Sequence, residues 1–116
     1  MATRDAQSVM YVWPHMHLLG KSFKSYAVTP TQDTIPLVSI PNWDYKWQEM
    51  YRMKKLTKIP ARSILTIDGS YDNTSQNPYN PNNPPAVVYS AKNMDSKMEM
   101  FTLLMIYVPY KEGMKT

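Results

Sequence analysis

Met98-Glu99-Met100-Phe101-Thr102-Leu103-Leu104-Met105-Ile106-Tyr107-Val108 is the stretch that decides the fold class. A helix competes only here, over Met94–Met105. The β-branched and aromatic content and the stop at Pro109 favour a strand. Read with period two, one face carries Met98, Met100, Thr102, Leu104, Ile106 and Val108, and the other Glu99, Phe101, Leu103, Met105 and Tyr107. Both faces are mainly apolar, which predicts a central strand buried on two sides.

With that segment assigned, the whole chain reads as β. The further candidate strands are Met10–Trp13, Phe23–Thr29, Ile35–Ile40, Tyr45–Met53, Ser63–Tyr71 and Ala86–Tyr89. They are short, rich in β-branched and aromatic residues, and separated by Pro, Asn, Asp or Gly. Pro36 demotes the Ile35–Ile40 segment to a sheet edge. Seven or eight such strands predict an all-β fold, an antiparallel, jelly-roll-like β-sandwich. The long irregular piece runs from Asn73 to Pro85, where four prolines and five asparagines predict an ordered excursion in extended conformation. Asn73-Thr74-Ser75 matches a glycosylation sequon but reads better as a turn.

At 116 residues the chain predicts one domain, 1–116, able to bury a core. The first residues carry no apolar segment of the signal-peptide kind, and the first strand follows almost at once. That fits a domain cut from a longer protein. No run of eighteen apolar residues occurs, so no transmembrane segment is expected. The net charge of +4 is spread along the chain, with only Lys54, Lys55 and Lys58 forming a knot. Nucleic acid, which needs a clustered basic stripe, is excluded as partner. Cysteine is absent, which removes disulfides, zinc ribbons and a thiol nucleophile. Glycine totals three, and there is no phosphate-cradling loop.

Both histidines of the chain stand in Pro14-His15-Met16-His17-Leu18-Leu19-Gly20-Lys21. Residues i and i+2 of a strand share a face, so His15 and His17 present their imidazoles side by side, spaced for one metal ion. The plainer reading is two unrelated, half-exposed histidines. With no cysteine and no third histidine, a transition-metal site needs carboxylate, methionine or water to complete it. Methionine is abundant, ten residues, and its soft thioether prefers Cu(I). Core filling accounts for most of the ten, and Met98, taken by itself, reads as core.

Four ordered blocks then carry a resemblance: Pro14-His15-Met16-His17-Leu18-Leu19-Gly20-Lys21; Trp43-Asp44-Tyr45-Lys46-Trp47-Gln48; Tyr71-Asp72-Asn73 with Asn77-Pro78 and Asn80-Pro81-Asn82; and Asp95-Ser96-Lys97-Met98. Together they span about Tyr11 to Tyr107, and the chain resembles the copper type II, ascorbate-dependent monooxygenases. The likeness is to the second, oxygen-activating copper domain in its bacterial form. The resemblance implies a jelly-roll sandwich forming half of a two-domain enzyme. It implies that His15, His17 and Met98 bind one copper ion, Cu(I)/Cu(II), with ascorbate as external reductant. It also implies an exported protein, periplasmic or extracellular. The chain departs from the family at Ser96-Lys97-Met98, where the family has an acid before the methionine. It departs again at Trp13, where peptide-amidating members carry a basic residue.

Two imidazoles and a thioether form a neutral, partly soft set that favours Cu(I). The expected function is dioxygen activation for C–H hydroxylation of an unknown small organic substrate, as the oxygen-activating half of a copper monooxygenase. That half is not expected to act alone, because an electron-delivering domain (a second copper or a haem) must lie upstream or act in trans. Catalytic protein residues are not assigned. The free ring nitrogens need acceptors, for which Asp44, Asp68 and Asp72 are the candidates. The aromatic run Trp43, Tyr45, Trp47 and Tyr51 reads as structural packing. The alternatives are a non-catalytic copper-binding domain on the same scaffold and a metal-free β-sandwich interaction module.

Overall fold

The structure is a computed structural model describing residues 2–88, 90 and 98–113. It is all-β: β1 (Gln7–Met16), β2 (Gly20–Val28), β3 (Thr34–Ile40), β4 (Tyr51–Ile59), β5 (Ile64–Tyr71) and β6 (Phe101–Pro109). These form two antiparallel three-stranded sheets, ordered β4-β1-β6 and β3-β2-β5. Val9 and Val12 of β1, Ala27 of β2, Leu37 of β3 and Ile59 of β4 meet between the sheets, flanked by Leu65 and Leu103. Each sheet buries one face in a shared core, as in a sandwich. The edge position predicted for the Pro36 segment holds among the described residues, where β3 borders its sheet.

A break in register in β1 orients the functional face. Val9 pairs with Thr57 and Tyr107, but the register with both neighbours shifts before Tyr11. Val9 points into the core, and beyond the shift Val12, Pro14 and Met16 do so instead. Strict alternation from Val9 would have sent Tyr11, Trp13 and His15 inward. The inserted residue reverses the phase and turns them outward. Pro14 has no N–H to donate, and the ladder to β4 stops just before it, at Val12–Tyr51.

Three strand assignments need correction. The Tyr45–Met53 segment is not one strand: Tyr45–Trp47 is a short 3₁₀ turn capped by Asp44, whose Oδ1 accepts from the Lys46 N–H at 2.9 Å, and β4 starts only at Tyr51. The Met98–Val108 segment becomes regular only at Phe101. Its earlier carbonyls are taken by side chains: Met98 by His17, Glu99 by Ser90 and Met100 by Tyr71. Moreover, β6 lies at the border of its sheet among the described residues, and β1 and β2 are the central strands. Leu104 and Ile106 are about half exposed, so the apolar content of the second face of β6 does not reflect burial. Finally, residues 86–88 form no strand, and Tyr89 lies outside the described residues.

The 73–85 segment is ordered, as a string of turns and bends and not as extended chain. Asparagine side chains tie it together. Asn80 donates to Asn73 Oδ1 and to the Thr74 carbonyl, and Asn77 donates to the Asp72 carbonyl. Asp72 caps the turn at Thr74, in accord with the turn reading of Asn73-Thr74-Ser75.

Candidate metal centre

His15 is part of β1, and His17 stands one residue beyond its end, in a turn closed by the Gly20 N–H on the His17 carbonyl at 3.1 Å. Both rings come together as the spacing predicts. Their centroids are 4.9 Å apart, their planes are inclined at 83°, and the two Nε2 atoms face each other at 3.1 Å. His17 is buried and His15 half-buried.

The other ring nitrogens are both held. His15 Nδ1 lies 2.5 Å from Gln48 Oε1. The Gln48 amide group donates to the Tyr45 carbonyl at 3.1 Å, so the oxygen must face the ring. His17 Nδ1 lies 3.0 Å from the Met98 carbonyl. Gln48 Oε1 and the carbonyl only accept, so each neutral imidazole carries its proton on Nδ1. Two unprotonated Nε2 atoms are then left 3.1 Å apart. Such an arrangement repels unless a cation, a metal ion or a proton, sits between them. Bonds of about 2.0–2.1 Å to one ion, opened between a right angle and a tetrahedral angle, separate two imidazole nitrogens by about 2.9–3.3 Å. The observed separation falls in that range, and the donor set therefore fits a metal through both Nε2 atoms.

Met98 is half-buried at the lead-in to β6, and its own carbonyl is the acceptor for His17. His15 and His17 are thus brought together, and Met98 reaches them through its main-chain carbonyl on His17. Among the described residues no group of three or more histidine, cysteine, aspartate or glutamate side chains forms a metal cluster. The Ser96-Lys97 departure lies outside the described residues.

The aspartates expected to hold the rings are engaged or placed elsewhere. Asp44 caps the 3₁₀ turn and Asp72 caps the turn at Thr74, while Asp68 lies opposite Lys24 on β5, in the other sheet. Gln48 and a main-chain carbonyl take that role. Two more neighbours escaped the sequence reading. Tyr45, taken for packing, sets its ring edge-on to His17 at 6.0 Å. The Glu99 carboxylate accepts from the His17 N–H at 2.6 Å and from the Leu19 N–H at 3.2 Å. The packing assigned to Trp43 is present: its indole lies against Gly20 and tilts over Phe23 at 6.2 Å.

No family model matches this chain, and no curated protein or solved structure matches it significantly.

Proposed function

We propose that this chain is a mononuclear copper-binding domain whose ligands are His15 Nε2, His17 Nε2 and the Met98 thioether, and that it serves as the oxygen-activating part of an ascorbate-dependent, monooxygenase-like protein. The observation that carries the reading is the pair of Nε2 atoms at 3.1 Å with both Nδ1 positions occupied by acceptors. Gln48 and the Met98 carbonyl fix the tautomers, so the two rings are ready to bind without reorganisation. Copper held there would supply one-electron redox chemistry and dioxygen activation for C–H hydroxylation.

Hydroxylation consumes two electrons, so the reading includes an electron-delivering partner domain. Trp13 faces outward two residues from His15, and its cross-strand neighbour Leu104 and the next pair, Tyr11 and Ile106, share that face. Exposed apolar surface of this kind marks interaction sites, which supports a partner covering the sheet beside the metal centre. Export to the periplasm or beyond belongs to the same proposal and rests on the resemblance alone.

Equilibrium dialysis against Cu(I), with a soft-ligand competitor, tests the binding. One ion per chain is expected, and its loss in the His15→Ala/His17→Ala double variant. Full stoichiometric binding by that variant would contradict the assignment and point to methionines elsewhere, such as Met94 or Met100.

A further inference from the structure

His17 lies outside the ladder that positions His15. The pairing of β1 with β6 ends at Met16–Phe101, so sheet hydrogen bonds do not set where His17 sits. That task falls to a two-residue segment, Met98-Glu99. The Glu99 carboxylate takes the N–H groups of His17 and Leu19, one on each oxygen, at 2.6 and 3.2 Å. The adjoining Met98 carbonyl takes His17 Nδ1 at 3.0 Å. One side chain and the neighbouring peptide group thus hold both the backbone and the ring of His17, across about eighty residues of sequence. Charge-assisted bonds of this type are about twice as strong as neutral ones. Carboxylate is also the only common side-chain group with two acceptor oxygens and no donor.

We propose that Glu99 is a positioning residue for the metal centre, clamping the His17 turn so that the ring proton stays on Nδ1 and Nε2 is presented to the ion. This inference rests on the reading of His15 and His17 as ligands, and its first consequence is visible in metal-free protein. Released from the clamp, the His17 ring no longer meets the Met98 carbonyl. It then reverts toward the Nε2–H form that free imidazole favours in water.

Glu99→Gln is the test. It conserves volume, keeps one acceptor, and turns an NH₂ group against a backbone N–H. In ¹⁵N-labelled metal-free chain, the imidazole nitrogen shifts of His17 are expected to move toward the Nε2–H tautomer while those of His15 stay in place. Cu(I) affinity is expected to fall about ten- to a hundred-fold, the usual effect of losing an outer partner of a ligand. Unchanged His17 shifts together with unchanged affinity would overturn the proposal. Should Glu99→Gln fail to fold, Glu99→Asp, one methylene too short to reach both N–H groups, is expected to show the same His17 change at smaller amplitude. His17 shifts at the wild-type position in Glu99→Asp would overturn it equally. A wild-type chain that binds no copper would sink the functional reading, and the tautomer measurement would then decide the role of Glu99 by itself.

Discussion

Gln48 Oε1 sits 2.5 Å from His15 Nδ1, while its amide group donates to the Tyr45 carbonyl. The 3₁₀ turn thereby dictates the protonation pattern of a histidine on the neighbouring strand. Gln48→Leu removes the acceptor at similar size. The expected result is a Cu(I) affinity about ten- to a hundred-fold weaker, measured by competition with a chromophoric chelator. Gln48→Glu keeps an acceptor at that position and should bind Cu(I) more tightly than Gln48→Leu.

Alkaline pH probes the other side of the β6 lead-in. The Tyr71 hydroxyl donates to the Met100 carbonyl at 3.1 Å, and burial, reinforced by the Glu99 carboxylate, pushes its pKa up to about 12. A group with a raised folded-state pKa contributes its stabilisation fully below the unfolded value, near 10.0, and loses it as pH climbs toward about 12. Urea unfolding across that window should show stability falling with pH. The slope should be shallower in Tyr71→Phe. Some slope should persist, because Tyr51 is raised in the same direction by burial and Glu49.

The fold class was legible because it rests on period-two spacing, a local property; the histidine pair stood out by its spacing, although His17 lies just beyond β1 and is placed by Glu99 and the Met98 carbonyl. The register shift in β1 was not legible: nothing around Met10 announces an extra residue, yet it decides that His15 faces outward. Asp44 ahead of Tyr45 is a usable capping signal, masked by the strand-like aromatics that follow it. Glu99 was hidden for a different reason. Its partners, His17 and Leu19, are about eighty residues away, and alternation placed it on a strand face that never forms there. Apolar residues on both faces of β6 suggested double burial, but Leu104 and Ile106 stay exposed because, with Trp13 of the central strand, they lie on the outer face of the sheet.

The N-terminal segment is fastened by a buried hydroxyl. Thr3 is buried; its Oγ1 donates to the Pro60 carbonyl at 2.9 Å and accepts from the Ser63 N–H at 3.0 Å. Thr3→Val keeps the shape and strands the N–H of a fully buried serine. The expected cost is about 1–3 kcal/mol, read by chemical denaturation, with copper binding unaffected because the change lies far in sequence and structure from the histidine pair.

X-ray absorption on the Cu(I)-loaded chain tests the central claim most directly. The account predicts two imidazole nitrogens and one sulfur around copper. The sulfur contribution should vanish in Met98→Leu, a volume-conserving change that should cost less than about 1.5 kcal/mol of stability, and persist in Met100→Leu. Because the lost contact is the soft one, Met98→Leu should weaken Cu(I) more than Cu(II). A spectrum without sulfur, or one that Met98→Leu leaves unchanged, would contradict the account and return Met98 to a purely structural role.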